Sequence, residues 1–244
     1  MLIFYYADSL GMPRSGVVEI KERYIYLFQQ WLQNQTDEEV FVIDRAKGYS
    51  TIKGLYTDYK NDMGYFTGKK DILIIHEGVV DCAPRPLPRF IRNVVSGLPS
   101  FLRNRIIRFI HNNRRRLLKS GFRYHLTSKK KYKAILKEWV EDAVKNFARV
   151  YVVNIAPTTP NIEFHSPGFS LAIQQYNSII KDVITESHFA NVLLVDVYSE
   201  IRSSNLELES LITKEDGHHI TSLAHRLYND ELIKLQAQRI KTNA

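Results

Sequence analysis

A serine near the start of the sequence and an aspartate–histidine pair near its end carry the side chains that nucleophilic catalysis requires. Ser9 follows the apolar run 2–6, and Asp216 and His219 lie three residues apart in a polar stretch before a helical pattern. In a Ser-His-Asp triad the imidazole accepts the proton of the attacking hydroxyl, and the carboxylate orients the imidazole. We therefore predict acyl-transfer chemistry if the fold joins the two ends of the chain. Alternatively, Ser9 makes only a local turn bond and Asp216 only caps a helix.

The pattern of apolar residues predicts the elements that would position these side chains. Near-continuous apolar runs indicate buried strands, and apolar residues every three or four positions indicate helices. The predicted strands span 2–7, 39–44, 71–76, 150–155 and 191–197; the predicted helices span 17–35, 135–147, 171–187 and 221–240, with a further helical stretch after the loop 48–51. Alternating strands and helices are typical of a parallel sheet covered on both faces. Such sheets bind their ligands at the carboxyl ends of the strands.

Four short blocks of the sequence resemble those of the SGNH (GDSL-type) hydrolases and occur in that family's order. The family's Gly-Asp-Ser-Leu is Ala-Asp-Ser-Leu at 7–10, and its second-block glycine is matched by Gly48. Its Gly-x-Asn-Asp is Gly-Val-Val-Asp at 78–81, and its Asp-x-x-His lies at 216–219. The resemblance implies a flavodoxin-like, three-layer α/β/α fold with a short parallel sheet, as a single domain over 1–244.

The resemblance also implies roles for individual residues. Ser9 would be the nucleophile, His219 the general base and Asp216 its orienting partner. The backbone N–H groups of Ser9 and Gly48 would form the oxyanion hole. Gly48 could instead be a turn glycine that needs a positive φ.

One position departs from the family pattern. Val80 occupies the place of the asparagine whose amide donates to the oxyanion in the family. Loss of one such donor typically costs roughly 10²–10³-fold in rate. Either another group replaces this donor, or the site is slower, or the chemistry differs.

Three further residues are predicted to bind substrate: Asp8, Asp81 and Arg85. A guanidinium such as that of Arg85 could hold an anionic group through a bidentate contact. Asp81 could instead brace the loops around the site, or form a structural ion pair with Arg85.

A strongly basic segment interrupts the α/β pattern. Between Asp81 and Glu138 the chain has 16 lysines and arginines and no acidic residue; since the whole chain carries +8, the remainder carries −8. Apolar residues recur at helical spacing among the arginines, so residues 84–131 are predicted to form a helical insertion with an apolar and a basic face. Contact through 85–133 with an anionic glycan, a phosphate-bearing sugar intermediate or the inner membrane surface fits this charge. Nucleic acid is a weaker candidate because no nucleic-acid-binding motif is present.

The composition bears on the compartment and on cofactors. A single cysteine, Cys82, excludes an intrachain disulfide and fits a reducing compartment. No apolar run approaches the ~18–20 residues of a membrane span, and the first residues lack the basic region of a signal peptide. We therefore expect a cytoplasmic protein, with peripheral contact to the inner membrane as an option. No metal or organic cofactor is implied, because no second cysteine supports a zinc site and His218 and His219 alone do not make one.

These observations favour a serine esterase that removes an acyl group, expected to be acetyl, from a carbohydrate such as a polysaccharide precursor. An O-acyltransferase would form the same acyl-enzyme and pass the acyl group to a sugar hydroxyl rather than to water. A non-catalytic glycan- or membrane-binding protein on the same fold is a third hypothesis, favoured by Val80.

Overall fold

Five parallel strands form one sheet in a computed structural model that describes residues 1–242, apart from the side chains of Arg89 and residues 239–242. The strands are β1 (Leu2–Ala7), β2 (Phe41–Asp44), β3 (Lys70–His76), β4 (Phe147–Val153) and β5 (Val192–Val195). All five predicted strands are present, with ends that differ by a few residues. The spatial order is β2-β1-β3-β4-β5. Sheets of this order bind their ligands in the crevice beyond the carboxyl ends of β1 and β3.

Eleven α-helices connect and cover the strands within residues 1–242. They are α1 (Tyr24–Gln33), α2 (Ile52–Tyr65), α3 (Val79–Cys82), α4 (Arg89–Ser96), α5 (Ser100–Lys119), α6 (Lys129–Asn146), α7 (Pro160–His165), α8 (Phe169–Ser187), α9 (Val197–Ser203), α10 (Leu208–Leu211) and α11 (Ser222–Thr242). Helices α1 and α11 pack together, and α2 and α8 both pack against α6, so the helices form two layers around the sheet. The predicted three-layer α/β/α fold is confirmed. None of the helices in this part of the chain combines the length and apolarity needed to cross a bilayer.

The helix predicted over 17–35 begins later than the apolar periodicity suggests. Arg23 keeps an extended backbone, and α1 starts only at Tyr24. The buried guanidinium of Arg23 donates its Nε–H to the carbonyl oxygen of Gly11 at 2.6 Å and pairs with Asp44 at the end of β2. Residues before it form a loop with a short 3₁₀ helix. Contacts with residues distant in sequence therefore override the local pattern here.

The sequence analysis misses four short helices: α3, α7, α9 and α10. Each has between four and seven residues. Such helices make about two turns at most, so an apolar periodicity cannot be recognised in them. Helix α3 matters for function because it begins directly after Gly78, in the third family block.

Residues 84–131, here called the insertion, contain α4 and α5; the rest of the described chain is called the body. The backbones of Arg85 and Tyr124 pair through hydrogen bonds of 2.7 and 2.9 Å, so the insertion leaves and rejoins the body at one point. Among the residues of α5, only Leu118 is buried. Phe101 and Phe109 are 65% and 62% exposed. The apolar side chains of the insertion therefore mostly face solvent rather than the core.

Candidate active site

Ser9 begins a 3₁₀ helix, Ser9–Gly11, at the point where β1 ends. The Asp8 carboxylate caps this turn by accepting the N–H of Leu10 at 2.9 Å. Gly11 is required by a close approach, because a Cβ atom there would lie 1.9 Å from the hydroxyl oxygen of Tyr5. The turn therefore fixes the backbone of Ser9 at the carboxyl end of β1.

The Asp216 carboxylate holds His219 and is itself held by neighbouring side chains. Its Oδ2 lies 2.8 Å from Nδ1 of His219, and its Oδ1 accepts the hydroxyl of Thr213 at 2.7 Å. Arg14 Nη2 forms an ion pair with Oδ2 at 2.6 Å. Burial alone would raise the pKa of Asp216, but these hydrogen bonds, chiefly that from His219, hold the pKa well below its usual range. Because an ionised carboxylate only accepts hydrogen bonds, Nδ1 of His219 carries the proton of this bond.

His219, rather than its neighbour His218, has the geometry of a general base. His218 Nδ1 lies 3.1 Å from the backbone carbonyl oxygen of Asp216. Burial, followed by the electrostatic effect of the adjacent His219 ring, lowers the pKa of His218. Within residues 1–242, Nε2 of His219 has no hydrogen-bond partner. This nitrogen is therefore free to exchange a proton with a group in the adjoining cavity.

Ser9, Gly48, Asp216 and His219 line one open cavity of about 870 Å³. The cavity lies at the carboxyl ends of β1 and β3, since Ser9 and Val79 in its wall follow these strands. In the described chain, the Ser9 hydroxyl forms no hydrogen bond with His219. Such bonds are often long in ligand-free sites and shorten when substrate binds. The fold thus brings together the residues predicted for the triad, and their catalytic roles remain predictions.

The backbone N–H groups of Ser9 and Gly48 donate no hydrogen bond to any residue that the structure describes. Unpaired N–H groups beside a nucleophile are what an oxyanion hole requires. Gly48 does not have a positive φ, and a Cβ atom there would meet only Met12 Sδ, at 3.7 Å. The alternative of a turn glycine with positive φ is therefore wrong. Val80 also lines the cavity, and its side chain has no donor to replace the missing amide.

Solved structures with the same fold cover nearly the whole chain, whereas comparisons with protein-family models and with curated proteins give no match. A lipase/acylhydrolase from Enterococcus faecalis has a TM-score of 0.65 at 11% identity, covering 98% of this chain and 96% of that one. A member of the lipolytic G-D-S-L family from Veillonella parvula has a TM-score of 0.59 at 12% identity, with 96% of both chains covered. Axe2, an acetylxylan esterase from Geobacillus stearothermophilus, has a TM-score of 0.61 at 14% identity, covering 96% and 92%.

The chain has the SGNH hydrolase fold. The resemblance stated from four sequence blocks is thereby confirmed at the level of the fold. Three of these blocks supply Ser9, Gly48 and the Asp216–His219 pair to the cavity. At identities of 11–14%, these structures show a shared fold but not a shared activity. The activity of this chain therefore depends on the residues of its own site.

Asp8 does not bind substrate as predicted, because its side chain is fully buried. Its carboxylate accepts the N–H groups of Gly78 and Val79 at 3.1 Å each, in addition to that of Leu10. Asp8 therefore ties the turn after β1 to the turn after β3. Burial raises the pKa of the Asp8 carboxyl to about 7, although the three N–H donors favour the ionised form.

The prediction that Asp81 binds substrate is also corrected, since this side chain is fully buried. Its Oδ2 accepts the N–H of Ile52, the first residue of α2, at 2.8 Å. Burial, followed by repulsion from Asp81, raises the pKa of the neighbouring buried Glu77 well above its usual range. Asp81 braces the loop that carries Gly48, and it forms no ion pair with Arg85 among the residues described.

Arg85 is the one predicted substrate-binding residue that lines the cavity. Its Nε is buried and has no hydrogen-bond partner in the described part of the chain. Burial, followed by repulsion from Arg92 and Arg114, lowers the pKa of Arg85. Its role in binding substrate remains a prediction.

Asp216, His218 and His219 together offer three ligand atoms within 4.8 Å of one another. A metal ion could use this arrangement, because Asp216 adds a carboxylate to the two histidines. The guanidinium of Arg14, 2.6 Å from Asp216 Oδ2, brings a positive charge that opposes a cation at this point. The same contact fits a carboxylate that serves His219.

Several residues of the site were not recognised from the sequence. Arg14 and Thr213 hold Asp216, and His111 and Arg114 line the cavity. Tyr49, also in the cavity wall, has a φ of 59° and is 91% exposed; such a backbone conformation is costly for a bulky residue and is often found at functional sites. Arg114 lies in the basic segment, but its charge alone does not distinguish it from the neighbouring arginines.

Proposed function

We propose that the protein is a serine ester hydrolase that removes an acetyl group from a carbohydrate. The observation that carries this proposal is the shared cavity of Ser9, Gly48 and the Asp216–His219 pair. The fold shared with an acylhydrolase and an acetylxylan esterase supports acyl-ester hydrolysis as the class of reaction. The basic insertion favours a negatively charged sugar intermediate, such as a polysaccharide precursor made in the cytoplasm.

In the proposed reaction, Ser9 Oγ attacks the acyl carbon while Nε2 of His219 takes its proton. The N–H groups of Ser9 and Gly48 stabilise the negative charge on the former carbonyl oxygen. The intermediate collapses by breaking the bond to the sugar oxygen, which receives the proton from His219. Water, deprotonated by His219, then attacks the acyl-enzyme and releases acetate and free Ser9. Asp216 remains ionised throughout and keeps His219 oriented.

The valine at position 80 bears on the rate rather than on the order of steps. With an aliphatic side chain at this position, only the backbone N–H groups of Ser9 and Gly48 are proposed to stabilise the oxyanion. We expect turnover roughly 10²–10³-fold slower than with an amide donor in place. Val80→Asn is therefore expected to raise kcat, measured by acetate release.

Labelling by a fluorophosphonate probe tests the proposal directly, because the probe reacts only with an activated serine. We expect the wild-type protein to be labelled and both Ser9→Ala and His219→Ala to lose labelling. Ser15→Ala, a change at an exposed serine outside this cavity, should keep it. Circular dichroism would verify that each variant is folded. A folded wild-type protein that resists labelling would contradict the proposal and favour a non-catalytic binding protein.

The hydrolase and the O-acyltransferase differ only in the acceptor that reaches the acyl-enzyme. Mass spectrometry of products formed with an acetylated sugar donor and an excess of an unacetylated sugar separates the two. We expect free acetate as the main product. Predominant transfer to the added sugar would establish the transferase instead.

We also propose that the insertion contacts an anionic membrane surface. Among the described side chains of residues 85–133, Lys133 pairs with Glu186, and no other lysine or arginine forms an ion pair with a carboxylate. Phe90 is 69% exposed, and Phe101 and Phe109 are similarly accessible. Exposed aromatic rings among unpaired arginines are typical of helices that lie at the surface of an anionic bilayer. An anionic glycan is the alternative partner, and comparing binding to anionic vesicles with binding to an anionic glycan separates the two.

A further inference from the structure

Three basic side chains from the insertion line the cavity that contains Ser9 and His219. These are Arg85, His111 and Arg114. The same three side chains line a second cavity of about 300 Å³ between α4 and α5. They therefore form a partition between the active-site cavity and the interior of the insertion. A negatively charged group bound in the active-site cavity would meet this partition.

The two arginines of the partition are held in place without a counter-charge. Arg114 donates its Nε–H to Ser166 Oγ at 2.9 Å and an Nη2–H to the carbonyl oxygen of Pro84 at 2.7 Å. Both acceptors are neutral, so the guanidinium is oriented while its charge remains uncompensated. Within residues 1–242, neither Arg85 nor Arg114 forms an ion pair with a carboxylate. Arg92, also in the wall of the smaller cavity, adds a further positive charge nearby.

Arg85 carries the strongest indication of a missing partner. Its Nε is buried and makes no hydrogen bond to any described residue. A buried cationic donor is costly unless an acceptor, preferably an anion, compensates it. Guanidinium groups bind phosphate and carboxylate oxygens through two parallel hydrogen bonds. The body and the insertion supply no such acceptor to Arg85, so a ligand in the cavity is the group that can.

We propose that Arg85 and Arg114 bind an anionic group, a phosphate or a carboxylate, carried by the sugar whose ester Ser9 attacks. This inference rests on the proposed function and narrows its substrate to negatively charged acetylated sugars. His111, which is exposed at the same partition, would contact the anion from the solvent side. Binding energy from this remote group would position the ester at Ser9 rather than take part in bond breaking.

The test compares three substrates that differ in charge: an O-acetylated hexose 1-phosphate, an O-acetylated hexuronic acid and an uncharged O-acetylated methyl hexoside. We expect kcat/KM of the wild-type protein to be roughly 10–100-fold higher for an anionic substrate, as for one charge-assisted contact. The phosphate and the carboxylate arms identify which anion is preferred. Equal kcat/KM for all three substrates would overturn the proposal.

Arg85→Gln should abolish most of this preference, and Arg85→Lys should retain part of it. The Arg85 side chain has no described hydrogen-bond partner at Nε, so its replacement leaves no acceptor in the body unsatisfied. Arg105→Gln is the matched control, because Arg105 is an exposed arginine of α5 that lines neither cavity. If the preference for anionic substrates survives in Arg85→Gln, or disappears in Arg105→Gln, it arises from general surface charge and not from the Arg85 site.

A binding measurement separates this inference from the proposed function. Titration calorimetry of the Ser9→Ala protein with hexose 1-phosphate and with inorganic phosphate reports the anion site without turnover. If Arg85→Gln weakens phosphate binding but the wild-type protein releases no acetate from any substrate, the anion site is supported and the esterase activity is rejected. If the wild-type protein releases acetate from all substrates but the Ser9→Ala protein binds no phosphate, the esterase activity is supported and the anion site is rejected.

Discussion

Three arginines of the body form ion pairs with carboxylates, whereas no described arginine of the insertion does so. In the body, the guanidinium groups of Arg14, Arg23 and Arg45 pair with the carboxylates of Asp216, Asp44 and Asp62. In the insertion, no described arginine or lysine has a carboxylate partner. Charges with internal partners hold the loops around the cavity, whereas charges without partners are available to ligands. Pairing with a carboxylate, rather than charge alone, therefore separates Arg14, Arg23 and Arg45 from the cavity arginines Arg85 and Arg114.

The largest expected effect contrasts one arginine from each region. Arg23→Gln removes a buried guanidinium that holds Gly11 and Asp44, and it leaves the Asp44 carboxylate without its cation. We expect the free energy of unfolding to fall by about 3–5 kcal/mol. The exposed, unpaired Arg105→Gln should change it by less than about 0.5 kcal/mol. Urea denaturation measures both, and equal losses would break the distinction between the regions.

Buried carboxyl groups of the body predict a pH dependence of stability. Because burial raises the pKa of Asp8 to about 7, the folded protein binds a proton there that the unfolded chain releases near pH 4. Proton binding by Asp8 therefore stabilises the folded protein fully below about pH 4, and this stabilisation is lost as the pH rises through 7. The expected loss is about 4 kcal/mol, since one pKa unit corresponds to about 1.4 kcal/mol.

The variant Asp8→Asn should flatten this fall in stability between pH 4 and 7, measured by urea denaturation at each pH. Asp37→Asn, at an exposed position of the body, is the control and should leave the profile unchanged. The same slope in Asp8→Asn and in the wild-type protein would show that other groups cause it.

The unpaired charge of the insertion is tested by binding to vesicles. The double change Arg105→Gln and Arg108→Gln removes two exposed charges from α5. We expect affinity for vesicles with anionic lipid to fall roughly 30-fold, at about 1 kcal/mol per charge, by co-sedimentation. The matched change Lys69→Gln and Lys181→Gln in the body should have little effect. Equal losses in both double variants would indicate a response to net charge, and binding only to anionic glycan would reject the membrane.

The smallest expected effect concerns the support of the triad carboxylate in the body. Thr213→Val removes the hydroxyl that donates to Asp216 Oδ1 at 2.7 Å. We expect kcat for ester hydrolysis to fall roughly fivefold, since one typical hydrogen bond contributes about 1 kcal/mol. Thr57→Val, on the exposed surface of α2, is the control. An unchanged kcat in Thr213→Val would show that Arg14 and the backbone suffice to hold Asp216.

Much of the scaffold could be predicted because its signals are local. Buried strands and long amphipathic helices appear as runs and periodicities within about ten residues, so all five strands and the long helices of the body were found. The order of the family blocks also indicated that Ser9, Gly48 and His219 would meet. These predictions depend on neighbours in sequence and on the topology of parallel sheets, which collects the carboxyl ends of strands at one edge.

Sequence patterns together with the family resemblance were enough to predict the three-layer fold, the approximate elements and the residues of the candidate triad. The packing of distant segments was needed to show that Asp8 and Asp81 are buried braces, that Arg14 and Thr213 hold Asp216, and that Arg85 with Arg114 faces the cavity. Whether a charged side chain is buried, paired or free depends on groups brought near it by packing of distant segments. Residue type and spacing in the sequence do not show which groups from distant segments will lie beside a side chain. Arginines within one basic run can therefore have different roles.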